Sequence, residues 1–327
     1  MKPEMSRSAR RWAGPALRFA ASRLVSAALV LAAAMLMLFA ITLFVPGDLA
    51  SVMLGPRATA DTRAVFAERM GLDEPIVVRL GFFFSQLLSG DLGTDILTGR
   101  PILAMLGEVL PNTLALVATS LVVGFSVGIP LGCFAVLRAG SMSDTALAVL
   151  SVALISTPAF VVAIALLLVF SLRLDWLPVT GVGRQGDYLD YALHLVLPAF
   201  TLAVGWIGYT ARLVRASLLE AMGEVHIRTL RAYGVPERRL VGRYALKLGI
   251  IPVVATMGLA IPELIGGAVF VEIIFARPGI GTLLFQSIQI RNYPVVQACV
   301  LVTVTSAVLA NMLADMVYGL LDPRVRR

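Results

Sequence analysis

Six long apolar runs divide the chain, and each is long enough to form a helix that crosses a membrane. Such a helix needs about 20 consecutive apolar residues to span the hydrocarbon core of a bilayer. The runs predict spans at Leu24–Val45, Leu114–Leu137, Thr145–Leu172, Ala192–Ala211, Leu248–Ile274 and Val295–Leu320. The pattern therefore predicts an all-α fold: a polytopic membrane protein with six transmembrane helices.

The composition supports a membrane protein and argues against a soluble one. Of 327 residues, 58% are hydrophobic and 14% are charged, and the mean hydropathy is +0.88. A soluble domain is nearer half apolar and a quarter charged, so this chain has too few polar groups to coat an aqueous surface. The net charge of +7 comes from basic residues beside the apolar runs, which is typical of membrane proteins and predicts no nucleic-acid binding.

The basic residues also orient the spans. Cytoplasmic segments carry an excess of Lys and Arg, and most of the 27 Lys and Arg residues lie before the first run, between the fourth and fifth runs, and at the C-terminus. This predicts that both termini are cytoplasmic, with a basic N-terminal segment at 1–23 and a tail at 321–327. The first run resembles a signal peptide, but it is too long and lacks a clear cleavage site, so we expect it to be retained.

Residues 46–111 form a long external segment between the first span and a five-helix core at 112–320. Within this segment a short helix is expected at Asp61–Met70, ended by Gly71, because glycine readily adopts the left-handed conformation that closes many helices. A second external loop is expected at residues 173–191.

A basic loop at residues 212–247 is the most informative segment outside the apolar runs. Its sequence predicts a helix that leaves the membrane, a short helix ended by Gly234, and a further helix that begins near Pro236. This arrangement is a compact knob on the cytoplasmic face. The same charges also suit an anchor for anionic lipid headgroups, and the residues alone do not separate the two roles.

Small residues and prolines occur within two of the predicted spans. Gly124, Gly128 and Gly132 recur every four residues on one face of the second span, a spacing that permits close approach of another helix. We therefore assign them to helix packing. Pro130 and Pro158 are expected to kink the second and third spans.

Three carboxylates fall within the apolar runs, where an ionisable group is costly and a functional or paired role is the default expectation. Glu263 follows Pro262 and either lines a translocation path or pairs with a basic neighbour. Glu272 is expected to reach water near the external end. Asp315 is expected to pair or to extend towards the cytoplasmic interface.

Several kinds of chemistry lack the residues they need. No Gly-x-x-x-x-Gly-Lys-Ser/Thr loop occurs, so the chain itself is not expected to bind ATP. Cys133, Cys299 and His194 lie singly in apolar runs, which predicts no metal site, no disulfide framework and no catalytic residues of an intramembrane protease. A secondary transporter is the other alternative, but it usually shows repeated halves and a midplane cluster of ionisable residues, and neither is visible here.

Short motifs along nearly the whole chain occur in a specific order. In the basic loop, Arg-Thr-Leu-Arg-Ala-Tyr-Gly at 228–234 is followed by Arg243-Tyr-Ala-Leu-Lys. The other segments are Pro46-Gly47-Asp48, Gly71-Leu72-Asp73-Glu74-Pro75, Gly90-Asp91-Leu92-Gly93, Leu110-Pro111-Asn112-Thr113-Leu114, Phe270-Val271-Glu272, Pro278-Gly279-Ile280-Gly281, Asn292-Tyr293-Pro294 and Leu321-Asp322-Pro323-Arg324. Together they resemble the ABC importer permeases of the dipeptide, oligopeptide and nickel branch.

The resemblance implies a type I importer permease fold in a bacterial inner membrane, with the basic loop as a coupling helix that contacts an ATPase subunit. The loop residues assigned to this contact are Arg228, Thr229, Arg231, Ala232, Gly234, Arg238 and Arg239. It also implies a homologous second permease subunit in a heterodimer, two ATPase subunits that hold ATP and Mg²⁺, and an extracytoplasmic solute-binding protein. Segment 46–111 is either a dock for that protein or a structural cap. No cofactor is expected on this chain.

The sequence departs from the family pattern at a few positions. Leu230 and Tyr233 stand where Ala and Lys are common, and Arg277 stands where an aromatic residue is common. We therefore do not assign Leu230 and Tyr233 to the ATPase contact that the family resemblance implies for this loop. Members of the family import peptides, nickel, opines or some sugars, and no residue here selects among these solutes.

Overall fold

The computed structural model describes residues 21–40, 59–69, 74–95, 97–184 and 186–321. Within these ranges the regular structure is helical apart from one isolated bridge between Thr94 and Pro101. The helices are α1 (Ala21–Ala40), α2 (Ala60–Arg69), α3 (Ile76–Leu88), α4 (Ile102–Leu137), α5 (Met142–Ser156), α6 (Ala159–Arg173), α7 (Tyr188–Met222), α8 (Val225–Ala232), α9 (Glu237–Ile274), α10 (Ile280–Gln289) and α11 (Tyr293–Leu321). Helices α6 and α9 each contain a wide π-helical segment, at Leu167–Arg173 and Leu240–Ala245.

Among the described residues, five helices are long and apolar enough to cross a membrane alone: α1, α4, α7, α9 and α11. Helices α5 and α6 pass the same test only as a pair, which bends by 102° at the break between them. The pair runs from one end of the bundle to the other. Asp144 of α5 pairs with Arg215 near the end of α7, and Gly181, beyond α6, bonds to Phe275 at the end of α9. The pair is therefore a broken sixth span.

The break corrects the prediction of one continuous third span at Thr145–Leu172. Pro158 has no N–H to donate to the carbonyl of Leu154, and its ring disfavours a helical backbone at the preceding residue. Thr157 accordingly has φ −83° and ψ 121°, an extended conformation. Pro130, in contrast, lies inside α4, which continues past it. Of the two prolines expected to kink a span, only Pro158 ends a helix.

Several helices extend farther than the apolar runs that predict them. Helix α4 begins at Ile102 and α7 ends at Met222, so segment 46–111 ends within one helix and the basic loop begins within another. At about 1.5 Å per residue, the 36 residues of α4 span roughly 54 Å, well beyond a hydrocarbon core of about 30 Å. These helices therefore project beyond the bilayer.

The segments between the spans contain more helix than the sequence predicts. Helix α2 confirms the short helix expected near Asp61, while Met70 and Gly71, its predicted end, lie outside the described residues. The apolar pattern misses α3 and α10, because both runs are too short for a span. The expectations for residues 1–20, 41–58 and 322–327 also concern parts of the chain outside the described ranges.

Helix α7 lies at the centre of the bundle. In its most apolar stretch 61% of the residues are buried, against 33% in α4 and in α9. Its buried residues Val214 and Leu218 belong to the same apolar core as Leu116 of α4, Ala163 of α6 and Val253 of α9. Helix α7 therefore connects the elements that carry the candidate sites.

Gly124, Gly128 and Gly132 of α4 face α7 at close range. A Cβ atom added at Gly124 would lie 3.1 Å from the Cβ of Trp206, and one added at Gly132 would lie 2.6 Å from the Cβ of Val214. Real Cβ atoms essentially never approach other heavy atoms closer than 3.0 Å. The two helices therefore come closest near Val214, where only glycine fits.

Candidate functional site

The two ends of the bundle differ in chemistry. One end carries Arg138, Arg215 and the helix α8, and we call it the loop end. The other carries the C-terminus of α9 and the helix α10, and we call it the far end. Exposed basic side chains gather at the loop end, whereas the far end is held by buried polar side chains.

The loop end is built around the short helix α8. Ile227 of α8 is fully buried and anchors it to the bundle. After α8, the N–H of Gly234 bonds to the carbonyl of Arg231 at 3.0 Å, and the N–H of Val235 bonds to the carbonyl of Leu230 at 3.2 Å. These bonds form a Schellman motif, which requires a left-handed residue at the turn. Gly234 supplies it with φ +79°.

An ion pair closes the same turn from outside. Nε of Arg231 lies 2.6 Å from Oε1 of Glu237, and Nη2 lies 3.3 Å from Oε2. The hydrogen bond to Glu237 raises the pKa of Arg231. Because about half of each side chain is exposed, the pair adds little stability. It nevertheless links α8 to the first turn of α9, so backbone and side chains together define the path of the loop.

The residues predicted to contact an ATPase lie on the outer surface of the loop. All of them are exposed: Arg228, Thr229, Arg231, Ala232, Gly234, Arg238 and Arg239. Tyr233 and Val225 are also exposed, at 82% and 76%. The surface is therefore basic with large apolar side chains among the charges, a composition that fits a protein partner as well as a layer of headgroups.

A bidentate ion pair ties α5 to α7 at the loop end. Nε and Nη2 of Arg215 lie 2.6 and 2.7 Å from the two carboxylate oxygens of Asp144, whose side chain is 6% exposed. Farther along, the two helices approach closely at Gly208, where an added Cβ would lie 2.6 Å from the carbonyl oxygen of Ser151. Helix α5 is therefore attached at two points to the helix that leads into the loop.

A cavity of about 370 Å³ opens at the break between α5 and α6. It is lined by Thr157 and Pro158 of the break, by Thr201 and Trp206 of α7, and by Glu263 of α9. The 15 residues of α5 rise roughly 22 Å from the loop end, which places the break within a hydrocarbon core about 30 Å thick. The cavity therefore lies at membrane depth.

Glu263 is the only ionisable side chain among the residues that line this cavity, and it is exposed. The sequence left two roles open for it, lining a path or pairing with a basic neighbour. Within the described chain, no Lys, Arg or His lies within 4.0 Å of its carboxylate. The arrangement favours the first role.

Glu272 is fully buried, so the prediction that it reaches water is wrong. Its carboxylate accepts the hydroxyl of Thr113 at 2.6 Å and the N–H of Gly281 at 2.8 Å. Thr113 in turn accepts the N–H of Ile280 at 2.9 Å. Ile280 and Gly281 begin α10, where unpaired N–H groups stabilise a negative charge. The carboxylate thus caps α10 and ties the end of α9 to α4.

Arg277 is fully buried beside this cap, with its guanidinium 5.0 Å from the ring centroid of Tyr191. Burial lowers the pKa of Arg277, but a guanidinium stays charged and the aromatic face stabilises it. Tyr191 also donates to Asn112, and Asn112 donates to the carbonyl of Pro278. Sequence reasoning misses this network, because the partners lie 79 and 166 positions apart.

Among the described residues, the remaining polar groups in the spans form no further site. Nδ1 of His194 lies 3.1 Å from Oδ1 of Asp190, one turn earlier on α7. The side chain of Asp315 lies outside the described part of the structure. Over the described ranges, no group of three or more His, Cys, Asp or Glu residues is placed to hold a metal ion.

The chain is similar to known proteins over most of its length. Residues 128–327 match the family "Binding-protein-dependent transport system inner membrane component", and residues 16–117 match the N-terminal region of the same class of proteins. The chain is 36% identical to the "Probable peptide ABC transporter permease protein y4tP" of Sinorhizobium fredii, over 93% of this chain and 97% of the relative.

Two further relatives are similar over comparable lengths. The chain is 36% identical to the "Probable D,D-dipeptide transport system permease protein DdpB" of Escherichia coli, over 91% of this chain and 94% of the relative. It is 34% identical to the "Oligopeptide transport system permease protein AppB" of Bacillus subtilis, over 88% and 92%. The similarity thus includes the loop end, the cavity and the capped helix at the far end.

Proposed function

The chain belongs to the family of binding-protein-dependent transport system inner membrane components, and we propose that it forms one half of the solute pathway in an importer driven by separate ATPase subunits. It is a multi-pass inner membrane permease subunit with the type I importer fold. The other half of the pathway would come from a homologous second permease subunit, which would pair with this chain as a heterodimer.

The observation that carries the coupling part of this proposal is the rigid turn at the loop end. A contact that transmits force must not deform, and the Schellman motif at Gly234 and the buried Ile227 hold α8 in place. An anchor for lipid headgroups needs charge alone. We therefore assign the exposed surface of the loop to an ATPase subunit, which makes the loop end cytoplasmic, with both termini on the same side.

Movement of this loop would reach the cavity through α7 and α5. Helix α7 leads into the loop, and the Asp144–Arg215 pair and the close contact at Gly208 attach α5 to it. Helix α5 ends at the wall of the cavity beside Thr157. A displacement of the loop end would therefore change the opening of the cavity, which we assign to the translocation path together with Glu263.

Peptides are the solute class that we propose. The relatives are described as permeases for peptides, D,D-dipeptides and oligopeptides. A nickel complex, an opine or a sugar is the alternative that the motif resemblance allows. A solute-binding protein would deliver the solute, with segment 46–111 as its candidate dock, and ATP and Mg²⁺ would be held by two ATPase subunits.

Affinity purification tests the composition of the complex. The tagged chain would be extracted gently from its native membrane, and the proteins that purify with it would be identified by mass spectrometry. Recovery of a second permease and ATPase subunits would support the proposal. Recovery of this chain alone in several detergents would contradict it and favour a self-contained transporter.

A further inference from the structure

The cavity at the break between α5 and α6 is lined by one carboxylate, that of Glu263, and by no basic side chain. We propose that it is a binding site for a cationic group of the solute, an ammonium or guanidinium, with the carboxylate of Glu263 as its counterion. The inference rests on the proposed function only in placing this cavity on the route of the solute. Beyond that function, the inference specifies which chemical group of the solute the cavity binds.

Glu263 has no basic partner among the described residues. A carboxylate at membrane depth is costly unless it is paired or faces water, and such residues mark ion and substrate pathways. Glu263 is exposed on the cavity, and no basic side chain of the described chain is within ion-pair distance. Among the described residues nothing pairs with this carboxylate, so we assign its partner to the solute.

The hydroxyl of Thr157 adds an acceptor to the cavity. Thr157 is exposed, and its hydroxyl donates to the carbonyl of Ala153 at 2.7 Å. A hydroxyl has one proton and two lone pairs, so this oxygen retains acceptor capacity, whereas Thr201 is buried and donates to the carbonyl of Leu197. Acceptors beside a carboxylate complement the several N–H donors of an ammonium or guanidinium group.

The two helix ends at the break add little net charge to the cavity. The last carbonyls of α5 carry a partial negative charge of about half a unit, and Pro158 cannot donate a hydrogen bond to the carbonyl of Leu154. The first turn of α6 begins at the same break with the opposite partial charge, so the two helix ends largely cancel. The carboxylate of Glu263 is therefore the group to which we assign the sign of the potential in the cavity.

The size of the cavity limits what it can take. Its volume of about 370 Å³ is at the small end of the range of about 300–1,000 Å³ for ligand pockets. It therefore suits a terminal ammonium or a basic side chain with some water, rather than a long peptide. The cavity would select the charged end of a solute that extends beyond it.

Charged thiol reagents measure the sign and strength of this potential directly. Thr157→Cys would be introduced into the intact importer after replacement of Cys133 and Cys299 by alanine, with Ala159→Cys as a second reporter on the other side of the break. Rates of modification of this chain by the trimethylammonium-ethyl, sulfonatoethyl and methyl methanethiosulfonates would be followed by mass spectrometry in detergent. Each rate is divided by that for a free thiol in solution.

The carboxylate is expected to favour the cationic over the anionic reagent by on the order of 10-fold or more, because charges about 8 Å apart give a ratio of roughly this size even when they are screened as in bulk water. Glu263→Gln should reduce this preference to near unity, and Glu263→Asp should retain most of it. Leu97→Cys, 68% exposed in a loop before α4, is the matched control, and its preference should not respond to Glu263→Gln.

The outcomes separate this inference from the proposed function. Reaction with all three reagents but no preference, or a preference that survives Glu263→Gln, would overturn the cationic site and leave the pathway in place. Failure of the neutral methyl reagent to modify either reporter would show that the cavity is closed to water and would overturn both.

Discussion

Replacing Gly234 by valine is expected to uncouple ATP hydrolysis from solute delivery while leaving the chain inserted in the membrane. Gly234 has φ +79°, a conformation that costs an L-residue roughly 1–2 kcal/mol, and valine tolerates it worse than most. No atom lies within 4 Å of an added Cβ, so the effect comes from the backbone conformation alone. A penalty of this size lowers the population of the native turn, relative to other conformations, about 5–30-fold.

The size of the effect should follow the left-handed preference of the new residue. Gly234→Asn should be the mildest variant, because asparagine visits this conformation, and Gly234→Ala should lie between it and valine. Gly140→Ala is the matched control. Gly140 has φ +81° and open space around it, but it lies in the turn between α4 and α5 rather than after α8. It carries the same strain outside the coupling turn, and since its N–H donates to Asp144 at 3.1 Å, a loss there would report strain that acts through the attachment of α5 rather than through α8.

The assay is the stimulation of ATP hydrolysis by solute-loaded binding protein in the reconstituted importer. Insertion of the chain and recovery of the ATPase subunits would be measured in parallel. We expect stimulation to fall in the order asparagine, alanine, valine. Normal stimulation in Gly234→Val would refute the role of the turn, and an equal loss in Gly140→Ala would show that strain anywhere at this end is sufficient.

Two further predictions concern packing and the capped helix. Gly132→Ala should destabilise the protein by roughly 1–3 kcal/mol, because its Cβ would lie 2.6 Å from that of Val214. Gly107→Ala on the same helix, with no atom within 4 Å, should not lower the thermal midpoint, because alanine favours a helix over glycine. Equal midpoints for the two variants would contradict the close approach of α4 and α7. Glu272→Gln should lower the midpoint by an amount equivalent to roughly 1–3 kcal/mol, because the amide brings a donor where the carboxylate accepts from Gly281; an unchanged midpoint would argue against the cap.

The spans and the loop are predictable because their signals are local. Lipid requires long apolar runs, and Gly234 followed by Pro236 ends one helix and begins the next within a few residues. The structure confirms α8 and the start of α9 where these residues predict them. The Schellman bonds and the buried Ile227 then fix the position of α8, which the composition of the loop does not reveal.

The environment of the embedded carboxylates is not local and could not be read from the sequence. Glu272 is held by Thr113, 159 positions away, and only the packing of α4 against the end of α9 brings the two together. The position of Glu272 near the end of its apolar run predicted contact with water instead. The break at Pro158 has a local cause, but its angle of 102° depends on the helices around it. The cavity that Glu263 lines lies at this bend.

The broken span also has a consequence for the order in which the protein is made. At about 1.5 Å per residue, neither α5 nor α6 alone reaches across a hydrocarbon core of about 30 Å, whereas the uninterrupted apolar stretch they form together does. We therefore expect the nascent chain to leave the insertion machinery with this stretch as one unit. The groups that hold the bent form, Arg215 and the surface at Gly208, belong to α7, which is synthesised later. The cavity would thus come into existence only when the following helix arrives, which gives an unfinished chain no open passage through the membrane.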